Sequence, residues 1–168
     1  MDVITCIVGM NKVKVEVKKH VWNKCEYLNG MINKFPKQNE FRIKVSEFWE
    51  DDEQYGIQNF HDFVELANGL KDVDINLLID TYWADILTTN KFKFPSEIKS
   101  LIEKIVNKRF LINKKQDHVS TLTSLIGVAS SLKCKLYTSF LGLYICFHYV
   151  NGKSKEEIRQ MFGNSNIW

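Results

Sequence analysis

The chain has 168 residues, of which 45% are hydrophobic and 26% are charged, and its net charge at pH 7 is +3. These are ordinary globular values, and a chain of this length can bury about 70% of its unfolded surface within one domain, or one domain with an extension. The lysines are scattered along the sequence, which argues against a nucleic-acid partner, because dedicated nucleic-acid binders concentrate Lys and Arg on one face.

The first elements that the sequence predicts are two strands. Residues Val3–Val8 are rich in β-branched side chains, which favours a strand. Gly9-Met10-Asn11 is a turn signal. Valine then alternates with charged residues over 12–18, a period of two that is typical of a strand with one buried face. The sequence therefore predicts an N-terminal β-hairpin.

A helix is predicted between the hairpin and Pro36. Gly30 weakens it near its end, and the proline closes the segment. The apolar side chains that recur at helical spacing are Val21, Cys25, Leu28 and Ile32.

The middle of the chain is less regular. Alternation over Phe41–Val45 indicates a third strand, and the acidic run Glu50–Glu53 predicts a solvated loop. A short helix is expected to end near Gly69, Asp74 is placed to cap a second helix, and a short strand could form over Asn90–Phe94. The apolar positions of the two helices are Phe60, Phe63, Val64 and Ala67, then Ile75, Leu78, Ile79, Tyr82 and Ile86.

Three more helices are predicted in the last third of the chain, the first capped by Ser96. The third is continuously apolar for about a dozen residues near Ser139–Val150, too short for a bilayer span of about 20 residues. We therefore expect no membrane partner. The three apolar stripes are Ile98, Leu101, Ile102, Ile105 and Val106; Leu122, Leu125, Ile126, Ala129 and Leu132; and Leu136, Phe140, Leu143, Tyr144, Phe147 and Val150.

A turn and a short helix follow these three helices. Gly152 can adopt the backbone conformation that ends the preceding helix. Ser154 and Glu157, three residues apart, form the pattern of a capping box. Ile158 and Phe162, four apart, then make one apolar stripe. A short, well-capped helix with one apolar edge is typical of a docking element.

This order of elements predicts an α+β domain in which a small N-terminal sheet packs against a helical cluster. The four cysteines show no close pair and the N-terminus has no secretory signal, so they are expected to be reduced thiols of a cytoplasmic or nuclear protein. Neither zinc-ligand spacing nor a Gly-rich phosphate loop is present. The sequence predicts no metal, no cofactor and no catalytic residue.

Two parts of the chain resemble the Skp-type adaptors of SCF ubiquitin ligases, which have a BTB/POZ fold. The likeness is nearly continuous over 120–162. In it, 121–135 (Thr-Leu-Thr-Ser-Leu-Ile-Gly-Val-Ala-Ser-Ser-Leu-Lys-Cys-Lys) is similar to the family's Thr-Leu-Phe-Glu-Leu-Ile-Leu-Ala-Ala-Asn-Tyr-Leu-Asp-Ile-Lys, and 152–159 (Gly-Lys-Ser-Lys-Glu-Glu-Ile-Arg) to its Gly-Lys-Thr-Pro-Glu-Glu-Ile-Arg. Residues 13–32 resemble the family's second strand and following helix, and 96–110 the helix after its third strand.

The resemblance implies a BTB/POZ-like domain over 1–150 with an inserted segment near 37–90, and an F-box-binding extension over 151–168. One alignment makes Pro36–Asn90 the insertion. A second alignment puts the family's third strand at Phe41–Val45 and the insertion after it.

The resemblance also implies a function without chemistry, that of an adaptor bridging a cullin-like scaffold and F-box substrate receptors. Ser130 and Ser131 would face the cullin. Apolar stripes on the last two helices would stay partly uncovered until a partner helix fills the groove. The residues implied for the F-box-like partner are Leu143, Phe147, Gly152, Lys153, Glu157, Ile158, Arg159 and Phe162.

Three departures from the family pattern leave an alternative open. Ser130-Ser131 replace the family's Asn-Tyr pair, Lys155 replaces a proline, and the sequence ends at Trp168 where family members continue with an acidic helix that helps to grip the F-box. The alternative is a BTB-type module without ligase function, acting by self-association as a homodimer or as a decoy for one partner. A third hypothesis is an enzyme with a helical lid over Pro36–Asn90.

Overall fold

A three-stranded sheet followed by helices forms the part of the chain that the structure, a computed structural model, describes: residues 1–44, 53–89, 91–112 and 117–162. The α+β class is as predicted. In chain order, the elements are β1 (Val3–Val8), β2 (Val13–Lys18), α1 (Lys19–Trp22), α2 (Glu26–Lys34), β3 (Glu40–Ile43), α3 (Glu53–Gly69), α4 (Ile75–Ile86), α5 (Ser96–Ile112), α6 (His118–Ser131), α7 (Lys135–Ile145), a π-helical turn (Cys146–Val150) and α8 (Lys155–Phe162).

The predicted hairpin is confirmed. β1 and β2 pair antiparallel, with Val3 opposite Lys18 and Val8 opposite Val13. Gly9 in the turn has a φ of 75°, a left-handed conformation that glycine adopts without steric cost. β3 joins the other edge of β1 in parallel, giving the strand order β2-β1-β3. The side chains buried on one face of this sheet are Ile4, Cys6, Val8, Val15, Val17, Phe41 and Ile43.

The single helix predicted over Val21–Ile32 is wrong, since the structure has two helices with a break at Asn23–Cys25. The break is held from outside the segment. The backbone N–H groups of Glu26 and Tyr27 at the start of α2 donate to the carbonyls of Lys133 and Leu132, at 3.3 and 3.2 Å. The first N–H groups of a helix have no acceptor within that helix. Here the carbonyls of Lys133 and Leu132 accept these hydrogen bonds, which allows a new helix to begin at Glu26.

The middle of the chain also differs from the expectations. The third strand lies at Glu40–Ile43, and the predicted Val45 falls outside the described residues. Of the acidic run, only Glu53 is described, and it begins a 17-residue helix, α3, rather than a loop. Over 91–94 the chain is not a strand, and Asn90 lies outside the described residues. The rings of Phe92 and Phe94 pack edge to face, with centroids 5.1 Å apart.

Aspartate caps the helices α4 and α6. Asp74 accepts a hydrogen bond from the Leu77 N–H at 3.0 Å, as predicted, and Asp117 accepts one from the Ser120 N–H at 2.7 Å. Ser96 is not the N-cap of α5. The carbonyl of Pro95 accepts the first backbone bonds of α5, so the helix starts one residue earlier than the predicted cap requires.

The sheet and the helices share one hydrophobic core. Helix α3 lies at its centre and packs against β2, α1, α5 and α6. At its end, Gly69 lies so close to Leu101 of α5 that a Cβ would clash with the leucine side chain. The segment 37–90, which the resemblance makes an insertion, therefore contributes to the same core as the N-terminal sheet. Among the described residues of this segment, the buried aromatic side chains are Phe41, Phe60, Phe63 and Tyr82.

Charged side chains are buried between α3 and α5. Asp62 is 0% exposed and Arg109 is 2% exposed, and the Arg109 Nε donates to Asp62 Oδ2 at 2.8 Å. Lys108 lies 3.1 Å from Asp62 Oδ1 and 2.8 Å from Glu65 Oε2. These ion pairs fix α3 against α5. None of the helices described combines the length and the hydropathy that crossing a bilayer requires.

Candidate functional site

The turn before α8 has the geometry that the sequence predicts. Gly152 has a φ of 78°, in the left-handed region. The Ser154 N–H donates to Glu157 Oε2 at 2.7 Å, and the Glu157 N–H donates to Ser154 Oγ at 3.2 Å. The capping box is confirmed as a reciprocal pair of hydrogen bonds, which satisfies two backbone donors at this end of the helix.

This cap lowers the pKa of the Glu157 carboxylate. Hydrogen bonds from the backbone N–H and the side chain of Ser154, followed by the nearby Lys153 ammonium, lower the pKa of Glu157 from its ordinary value of 4.5. At neutral pH the carboxylate is therefore ionised, and its charge lies at the positive end of the α8 dipole. The cap thus fixes where α8 begins.

Helix α8 lies on the outside of the molecule. None of its residues is fully buried, and the helix packs against α6. Phe162 packs against the core, whereas Ile158 is partly exposed. Lys153 and Arg159, two other residues that the resemblance assigns to partner binding, are exposed on the turn and the helix. The turn and α8 therefore present one partly exposed apolar edge among exposed charged side chains of both signs.

The apolar stripe expected on α7 is not uncovered. Phe140 is 0% exposed and Leu143 is 6% exposed, so the expectation that these two side chains would be open to a partner is wrong. Their helical spacing serves the core, because α7 packs against both α4 and α6. The structure thus separates Leu143 from the exposed residues of α8.

Phe147 is half-buried in a cluster of aromatic rings that the sequence did not predict. Its ring centroid lies 5.3 Å from that of Phe94 and 5.5 Å from that of Phe92. His148 lies beside it, with its ring centroid 4.3 Å from that of Tyr144, and burial lowers the pKa of this histidine. The cluster joins α4 and the segment before α5, which are adjacent in the sequence, to the end of α7 and the π-helical turn, which come much later in the chain.

Ser130 and Ser131 lie at the C-terminal end of α6. Ser130 is exposed and Ser131 is half-buried. Ser130 also lines a shallow cleft of about 380 Å³ between α2 and α7. The residues lining this cleft are Glu26, Ser130, Lys133, Cys134, Lys135, Thr138 and Ser139.

The two predicted surfaces are thus at opposite ends of the last helices, the serines at the end of α6 and the apolar edge on α8. Over the ranges that the structure describes, no three His, Cys, Asp or Glu side chains form a group that could hold a metal ion. Comparison with known proteins gave no match, since no protein-family model, curated protein or solved structure is significantly similar to the chain. The function of the site is therefore inferred from its own geometry.

Proposed function

We propose that this protein is a non-catalytic adaptor, similar to the Skp-type subunits, that joins a cullin-like scaffold to an F-box-like helical motif in ubiquitin-dependent degradation. The observation that carries the proposal is the capped helix α8, whose start is fixed by the Ser154–Glu157 pair while Ile158 stays partly exposed. The order of elements agrees with the resemblance, because a hairpin, a short helical segment and a third strand in one sheet precede α5.

Helix α8 has the features that a helical partner requires. Phe162 anchors the helix on the core, and Ile158, one turn before it, offers an apolar contact that water partly covers. A partner helix that laid its apolar side chains beside Ile158 would remove this surface from water, which is the driving force of helix-in-groove recognition.

The second surface would be the end of α6. Ser130 is exposed there beside the cleft between α2 and α7. Small hydroxyl side chains supply less contact area than the aromatic anchors that dominate most interfaces. We therefore expect scaffold binding to be the weaker of the two interactions.

The test is a pair of binding measurements on the full chain. Titration calorimetry with an F-box helical peptide and with a cullin N-terminal domain should detect both interactions. Ile158→Asp should weaken peptide binding by at least about tenfold, because burying an unpaired carboxylate in an apolar contact costs more than about 1.4 kcal/mol. Gln160→Asp adds the same charge at an exposed position of α8 and should bind like the wild type. Wild-type protein that bound neither partner would contradict the adaptor proposal.

Self-association or decoy activity without a ligase role is the second candidate function. Trp83 and Leu87, four residues apart at the end of α4, are 55% and 83% exposed, and Leu77 on the same helix is 62% exposed. Large apolar side chains exposed together favour a contact with another protein surface. Sedimentation of the wild type as a dimer, together with no binding to the F-box peptide, would favour this candidate over the adaptor.

A further inference from the structure

Two cysteines that are far apart in the sequence meet inside the molecule. Cys25 is the residue before α2 and Cys134 is the residue before α7, and both are 0% exposed. The backbone bond from the Glu26 N–H to the Lys133 carbonyl, at 3.3 Å, brings the two cysteines side by side. The Cys25 Sγ also lies 3.4 Å from the carbonyl oxygen of Val21.

The contacts on either side of this pair hold the two backbones together. On one side, the Lys24 ammonium lies 5.7 Å from the centroid of the Tyr137 ring. On the other, the Glu26 N–H donates to the carbonyl of Lys133, and the Glu26 carboxylate lies 3.9 Å from the Lys135 ammonium. These contacts join the residues beside Cys25 to Lys133, Lys135 and Tyr137, so the approach of the two cysteines follows from the packing of this segment against the start of α7.

The two thiols differ in acidity. The hydrogen bond with Cys134, together with burial, raises the pKa of Cys25. The same hydrogen bond lowers the pKa of Cys134, because the Cys25 thiol stabilises the Cys134 thiolate. Cys6, the third buried thiol near the pair, has its pKa raised to about 12 by burial and stays protonated.

Cys134 also lines the cleft between α2 and α7, whose rim carries the exposed Lys133 and Lys135. Of the two cysteines it is Cys134 that lines the cleft, so we expect a small neutral oxidant to meet Cys134 first. Lys133, directly before Cys134, has a φ of 52° and ends α6, and the Cys134 N–H donates to the Ala129 carbonyl at 2.8 Å. This helix end fixes the backbone of Cys134.

We infer that Cys25 and Cys134 are a peroxide-sensitive dithiol, which oxidises to an intramolecular disulfide that ties α2 to α7. The oxidant is hydrogen peroxide. The Cys134 thiolate attacks one peroxide oxygen, the O–O bond breaks, and the departing hydroxide takes up a proton to become water. Cys134 is then a sulfenic acid.

The second step uses the neighbouring thiol. The Cys25 sulfur attacks the sulfur of the sulfenic acid, the S–O bond breaks, and hydroxide leaves with the proton of the Cys25 thiol as a second water. In total, two thiols are oxidised to one disulfide and one peroxide is reduced to two waters. A dithiol reductant reverses the reaction by thiol–disulfide exchange.

The test is non-reducing peptide mapping of the full chain after exposure to hydrogen peroxide. We expect the peptide of Cys25 to be linked to that of Cys134, with the intact mass lower by two hydrogen atoms and fully restored by dithiothreitol. In Cys25→Ser, the sulfenic acid of Cys134 should persist and be trapped by dimedone. Cys146→Ser is the matched control, because it removes the exposed thiol and should leave the Cys25–Cys134 link unchanged.

The wild-type map decides the inference even if a variant fails to fold. Recovery of both peptides as free thiols, or linkage of Cys134 to Cys6 or Cys146 in place of Cys25, would overturn it. Oxidation of Cys134 to the sulfonic acid without any link to Cys25 would overturn it as well, because the second thiol would then not be in reach.

Discussion

The α3–α5 pair and helix α8 are held to the molecule by different means. Between α3 and α5, Asp62 and Arg109 are buried together, and apolar side chains of both helices belong to the core. Helix α8 has no fully buried residue, and its start is fixed by hydrogen bonds within its own cap. Elements with few buried contacts open at a small fraction of the global free energy of unfolding. The difference suggests a rigid body that carries a weakly held recognition helix.

The largest effect in this comparison is expected from Asp62→Ala. Its removal leaves Arg109 buried without its carboxylate and takes one of two acidic partners from Lys108. Breaking a buried ion pair on one side typically costs about 3–5 kcal/mol. Urea denaturation should show this loss.

Glu65→Ala is the matched control for Asp62→Ala. Glu65 also pairs with Lys108, but its side chain is 33% exposed. The loss expected for this half-exposed carboxylate is about 1 kcal/mol or less. Equal losses in the two variants would show that burial of Asp62 does not govern the strength of the α3–α5 pairing.

Leu143→Ala should cost about 2–5 kcal/mol, because it deletes methyl groups from a side chain that is 6% exposed in the core. Ile158→Asp changes a partly exposed side chain on α8, and its cost should be about 1 kcal/mol or less. Thermal unfolding of the two variants measures the contrast. A large loss in Ile158→Asp would mean that α8 is part of the rigid body, and the same variant could then not be used to test partner binding.

The sequence predicts the features that depend on neighbouring residues in the chain, and it misses those that depend on residues far away in the sequence. The hairpin and the Ser154–Glu157 cap depend on neighbours in the chain, so alternation and spacing were enough to find them. The break at Asn23–Cys25 depends on the carbonyls of 132–133, which lie more than a hundred residues away. No local sequence pattern can therefore predict it. Helical spacing over Val21–Ile32 was therefore misleading.

The buried polar groups escaped prediction for the same reason. Asp62 and Arg109 are separated by 47 residues, and each reads in the sequence as an ordinary solvated charge. Cys25 and Cys134 show no close spacing. On α7, the apolar period identifies the helix, but period alone cannot tell a core stripe from an uncovered one, and Leu143, which the resemblance implies for partner binding, is buried.

The smallest effect on global unfolding is expected at the cap itself. Ser154→Ala removes the acceptor of the Glu157 N–H and should destabilise α8 by about 0.5–2 kcal/mol. Because the helix is weakly held, this loss should appear in the hydrogen exchange of the α8 amides and leave the midpoint of global unfolding almost unchanged. Lys155→Ala, at an exposed position of the same turn, is the matched control.

Acid should weaken the same cap. The pKa of Glu157 is lower in the folded helix than in the unfolded chain, so its stabilising contribution is complete above the ordinary value of 4.5 and is lost as the pH falls through the lowered value. The α8 amides of the wild type should therefore lose protection below pH 4.5. Glu157→Gln, which keeps the shape of the side chain but cannot ionise, should abolish this pH dependence. If the α8 amides of this variant still lost protection in acid as the wild type does, another group would control the helix.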